Sequence, residues 1–149
     1  MTTIDINEYR TDSTSNKGIN KEWALCGYYG INRTKHDHTP YNVGSDIETG
    51  ALNISVKSPK ASLMSGNYGI GCKTFEGIWR RYRKNVHSDT FAFVTNEYIA
   101  YIMSLDEFSK FIHQFGYLTR ESQSNGGHLK IAILGESKRM REWLEQRAA

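Results

Sequence analysis

Apolar residues recur along the chain in an order that predicts a helix, a strand pair, a helix, a second strand pair, a helix, a strand and a last helix. KEWALCGYYGI, from Asn20, has helical spacing. Trp23, Cys26 and Gly27 fall on one side, with Leu25 and Tyr28 beside it. Asn20 suits the N-cap and Gly30 the stop. A polar loop over 32–45 contains Pro40. Asp46-Ile47 then ends a short strand, Glu48-Thr49-Gly50 turns, and 51–56 runs as the next strand. Leu52, Ile54 and Val56 alternate there with Asn53, Ser55 and Lys57, which gives two distinct faces.

A loop containing Gly and Ser spans 58–71. Residues 73–86 predict an amphipathic helix with Phe75, Ile78, Trp79, Tyr82 and Val86 on its apolar stripe. Arg80, Arg81, Arg83 and Lys84 lie mostly off that stripe. Strands follow at 90–95 and 98–104, with Asn96-Glu97 as a hairpin-type connection. Asp106 to Phe115 reads as a helix turning Phe108, Phe111, Ile112 and Phe115 inward. A Gly-rich turn at 125–127 leads into the strand HLKIAIL. Residues 137–148 close as a helix capped by Ser137, with Met140, Trp143 and Leu144 inward. Residues 1–19 are polar and read as a flexible N-terminal arm, and 20–149 as one domain. The expected class is mixed α/β, a central mixed sheet flanked by helices.

Composition narrows this only slightly. A chain of 149 residues suffices for one domain, and 38% hydrophobic with 23% charged residues suits a globular one. A formal charge of +3 permits a nucleic-acid partner without demanding it. Cys26 and Cys72 lack metal-type spacing and read as reduced thiols in an intracellular, cytoplasmic protein. No apolar run approaches the roughly 18 residues of a membrane span, and the N-terminus lacks a signal core.

Chemistry enters at Gly44-Ser45-Asp46, followed eleven positions later by Lys57 in Ser55-Val56-Lys57-Ser58. Ser55 and Lys57 share a strand face. Phosphodiester hydrolysis uses a hard divalent cation held by oxygens, which polarises the phosphate and generates hydroxide. A neighbouring lysine orients the water and offsets developing negative charge. Carboxylates and a lysine on adjacent strands supply that set.

This arrangement resembles the PD-(D/E)xK nuclease superfamily, which includes type II restriction enzymes, junction resolvases and some homing endonucleases. Asp46 matches the first acid and Lys57 the lysine, while Ser45 replaces the proline. The strands and aromatic-rich helix around this stretch also look similar to small restriction enzymes. The second acid is absent, since Ser55 stands in its place. Restriction enzymes that cut around a CCGG core look like S-x-K with the glutamate moved to the following helix. On that pattern Glu76 is the migrated acid. Their arginine-rich recognition box is missing, so their target is not carried over.

The resemblance implies a restriction-endonuclease-like fold and a metal-dependent DNA endonuclease. Its Mg2+, for which Mn2+ can substitute, would be held by Asp46, the Val56 carbonyl and Glu76, with Glu22 as a third acid. Ser55 would sit beside the metal water. Double-stranded DNA is the implied partner, cut by a homodimer or tetramer. Lys35, His36, His38, Lys60, Arg80 and Arg81 are the candidate DNA contacts.

Each residue also has a plainer reading. Asp46 suits a turn, and Glu76 or Glu22 suits the first turn of a helix by charge alone. The arginines suit a solvated face. Two other functions fit the same residues: a structure-selective nuclease acting at junctions or in phage recombination, and a catalytically inactive DNA-binding module marked by Ser55.

Overall fold

The computed structural model describes residues 1–31, 47–48, 51–63, 71–120 and 129–148. Mixed α/β architecture is as expected, but the strands divide between two sheets. The larger contains β1 (Thr2–Asp5), β2 (Ile47–Glu48), β3 (Asn53–Lys57), β5 (Thr90–Val94) and β6 (Ile99–Ser104), in the order β1-β6-β5-β3-β2. The smaller contains β4 (Ser62–Leu63), β7 (Gly116–Arg120) and β8 (Leu129–Ile133), in the order β4-β8-β7. Four helices accompany them among the described residues: α1 (Lys17–Tyr29), α2 (Phe75–Asn85), α3 (Leu105–Phe115) and α4 (Lys138–Arg147). None is long and apolar enough to cross a membrane.

Among the described residues every pairing is antiparallel except β3 with β5. A parallel pair cannot close through a tight turn and needs a crossover. The chain between β3 and β5 contains α2, which makes that crossover.

Alternation along β3, β5 and β6 gives the larger sheet two buried faces. Ile54, Ala92, Val94 and Ala100 pack with Ile6 and with Ala24, Leu25 and Cys26 of α1. On the opposite face, Phe91, Phe93, Tyr101 and Met103 join α2, α3 and α4 in a second core, which Ile131 and Ile133 of the smaller sheet complete. Phe91 stacks on Phe108 with centroids 4.3 Å apart.

The N-terminal segment differs from the loose arm expected of its polarity. Thr2 to Asp5 pair with Ile102 to Ile99, and Ile6 is fully buried. Two apolar residues, Ile4 and Ile6, anchor an edge strand whose other side chains face water. Helix α1 also starts earlier than expected. Asn16 is its N-cap, accepting from the Ile19 amide at 3.0 Å. Asn20 lies inside the helix, 4% exposed, and its side-chain Nδ2 donates to the Thr14 carbonyl at 2.9 Å. Its buried apolar side is Ala24, Leu25 and Cys26, and Tyr28 is 42% exposed. Gly30 ends the helix as expected, in the left-handed conformation with φ 68°.

Helices α2, α3 and α4 fall within two residues of the expected bounds, with Thr74, Ser104 and Ser137 as caps. Besides β1, two strands escaped the sequence pattern: β4, whose two residues Ser62 and Leu63 lie in the stretch expected as a loop over 58–71, and β7. β7 leaves α3 directly at Gly116, where an added Cβ would lie 2.5 Å from the Ile112 carbonyl oxygen. That close approach requires glycine.

Candidate functional site

Two elements meet where β3 ends. The Asn16 cap sets the first turn of α1, and Leu25 and Cys26 hold the helix on the larger sheet. These constraints bring Glu22 to the C-terminal end of β3, where it is only 4% exposed. A cavity of about 340 Å³ opens there. Its helix wall is Asn16, Gly18, Ile19 and Glu22. Its strand wall is Val56, Lys57, Ser58 and Ala61, from the end of β3 and the turn beyond it.

Lys57 is half-buried, and its Nζ donates to the Ser62 carbonyl over a long 3.4 Å. Val56 packs along the edge of the α1 core. An acidic residue, Glu22, and a basic one, Lys57, therefore border one cavity together with Val56. Oxygen donors of this kind suit a hard cation, and an ammonium beside them suits a phosphate or a water.

Behind the cavity, α1 is fastened by a second lysine. Lys21 is 4% exposed, and its Nζ donates to Asn96 Oδ1 at 2.8 Å. The Asn96 amide in turn donates to Glu136 Oε2 at 3.1 Å. Burial pushes the Lys21 pKa below its ordinary value, Glu136 opposes that, and Lys17 adds to it.

Other candidates lie elsewhere. Ser55 is 6% exposed, paired across the parallel register with Phe91, and does not line the cavity. Glu76 does not line it either. Its Oε1 lies 2.6 Å from His113 Nε2 on α3, while His113 Nδ1 lies 2.7 Å from the Ser109 carbonyl oxygen. The His113 ring also packs on Phe75 and Trp79. Glu76 thus ties α2 to α3. Arg80 and Arg81 are exposed on α2. Lys60 is exposed at φ 69°, one residue before Ala61 of the cavity wall.

Asp46, Lys35, His36 and His38 lie outside the described residues. Among the described residues, no three His, Cys, Asp or Glu side chains gather as a metal cluster. Sequence reasoning missed Asn16, Gly18, Ile19, Ser58 and Ala61. An Asn-Lys-Gly-Ile start to a helix carried a capping signal for Asn16, whereas nothing local marked Ala61. No family model, curated protein or solved structure matches the chain.

Proposed function

We propose that this protein is a metal-dependent DNA endonuclease whose site is the cavity between α1 and the end of β3. The observation that carries this reading is that Glu22 and Lys57, from segments 35 positions apart, line the same cavity. The strand pair bearing Lys57, followed by the aromatic-rich α2, supports it further. So does Ile47, which is paired with Ile54 and directly follows Asp46 in the chain.

In this reading, Glu22, the Val56 carbonyl and Asp46 hold the cation. Their oxygens are the hard donors that Mg2+ prefers, with Mn2+ an acceptable substitute. The bound ion supplies Lewis acidity and a more acidic water. Lys57 would orient an attacking water and offset negative charge building on the phosphate. Glu22 thus takes the part that the sequence pattern assigned to Glu76.

The test is incubation of long unmethylated DNA with the wild type, Glu22→Gln and Lys57→Ala, with and without Mg2+. Cleavage by the wild type should need the metal. Each variant should lose about a hundredfold or more in rate, while gel shifts in Ca2+ show DNA still bound. Normal cutting by either variant would move the site elsewhere. Binding by a wild type that never cuts would make the protein a DNA-binding module.

A further inference from the structure

We propose that the outward face of the smaller sheet is a stacking platform for an unpaired DNA strand, which makes the substrate DNA that carries single-stranded bases beside the cut. This rests on the nuclease reading and specifies its substrate. The sheet has one face in the core, where Ile131 and Ile133 are fully buried. By alternation the other face carries Tyr117, which is exposed, Thr119, Lys130 and Ser62, which are half-buried, and the buried Ala132. None of these is acidic.

Tyr117 is 45% exposed on the edge strand β7. It pairs with Ala132, which is only 6% exposed. The Leu134 amide donates to the Phe115 carbonyl at 2.8 Å, so the ladder continues past β8. Leu134, two residues from Ala132 and 42% exposed, is then a diagonal neighbour of Tyr117. Lys130 stands opposite Thr119, one step along the same face.

The smaller sheet meets the cavity at the start of β4. Ala61 lines the cavity, and the Lys57 ammonium reaches the carbonyl of Ser62 in β4. Lys60 extends toward the end of β8, its Cε 3.5 Å from the position of a Cβ at Gly135. From β4 to β7 is two strand spacings, about 10 Å, a span that neighbouring nucleotides of one strand can cover.

The chemistry favours unpaired DNA over other occupants. An exposed aromatic ring stacks on any base whose face is open, and lysines around it hold phosphates. A duplex keeps its base faces inside its own stack. A two-fold interface between copies through this face would bring two lysine-bearing surfaces without facing acids together, which electrostatics opposes.

The experiment uses the full chain in Ca2+, with a thymidine oligonucleotide of about 15 nucleotides and a duplex of equal length. Fluorescence anisotropy measures both affinities across a salt series, and thermal melts establish that each variant folds. Tyr117→Ala should weaken oligonucleotide binding about tenfold and change duplex binding less than about twofold. Lys60→Ala with Lys130→Ala should flatten the salt dependence by about 0.7 in log-log slope for each phosphate that is no longer neutralised. Equal oligonucleotide affinity for the wild type and Tyr117→Ala would overturn the platform. So would equal losses on duplex, or a change in sedimentation mass with DNA binding intact, which would make the face a self-association surface. Cleavage in Mg2+ separates the two claims. Cutting without any effect of Tyr117 removes the platform and leaves the nuclease. Tyr117-dependent binding by a wild type that never cuts removes the nuclease and leaves the platform as a binding surface.

Discussion

Glu76 lies in the first turn of α2, whereas α1 starts early enough to put Glu22 in its second turn, and their surroundings separate them further. Chain order favours Glu76, which follows Lys57 directly on the next helix. Packing favours Glu22, because α1 lies against the end of β3 while Glu76 is drawn to His113. The sign in the sequence was slight: Lys21 and Glu22 stand beside the apolar run of α1 and are both buried. The two acids should therefore respond differently to substitution. Glu76→Gln should leave Mg2+-dependent cleavage within about twofold of wild type and cost roughly 0–1 kcal/mol of stability, as for other partly exposed ion pairs. Glu22→Gln should lose about a hundredfold or more in rate with a melting temperature near wild type. Parallel rate and melting measurements check this, and a large rate loss in Glu76→Gln would return the metal to α2. Lys21 offers a separate test of burial. Its folded pKa lies below the ordinary 10.5 because burial disfavours the ammonium. The folded state then holds that proton less tightly than the unfolded chain. Stability should rise with pH through the window between the folded pKa and 10.5. Lys21→Met removes this term, so urea unfolding across alkaline pH should show the wild type gaining on the variant.

At the scale of elements, legibility followed the number of apolar residues each element buries. α3 places Phe108, Phe111, Ile112 and Phe115 in the core, and its helical period was plain. β5 and β6 were plain for the same reason. β1 places one strand edge against β6 with little apolar pattern of its own, and β4 has only two residues. β7 reads Gly-Tyr-Leu-Thr-Arg, with Tyr117 and Leu118 both exposed, so its pairing with β8 comes from distant partners. Local pattern carries little of such long-range pairing. Two junctions of α3 give predictions. At its start, Ser104 and Glu107 form a reciprocal capping box, and Ser104→Ala should cost about 1 kcal/mol in denaturant unfolding. At its end, Gly116→Ala would force a Cβ to 2.5 Å from the Ile112 carbonyl oxygen. The backbone must shift to admit it, at a cost of about 1–3 kcal/mol. A variant as stable as wild type would show that the α3–β7 junction is looser than its geometry implies.

At the scale of the whole molecule, the two sheets share one core, and the turn after β3 joins that core to the cavity. The same short segment, 57–63, supplies Lys57, the cavity wall and the first strand of the smaller sheet. Changes in the smaller sheet should therefore be felt at the cavity more than changes on the exposed side of α2. Hydrolysis of both strands in one encounter needs two Glu22–Lys57 cavities, which a second copy related by a two-fold axis would provide. That arrangement makes the product depend on concentration. Supercoiled plasmid should become mainly nicked at low protein concentration and increasingly linear as concentration rises. The measurement is the ratio of nicked to linear product at matched extents of reaction. A ratio that stays constant across the range would mean that one chain cuts alone, and strand breaks would then accumulate independently of any partner.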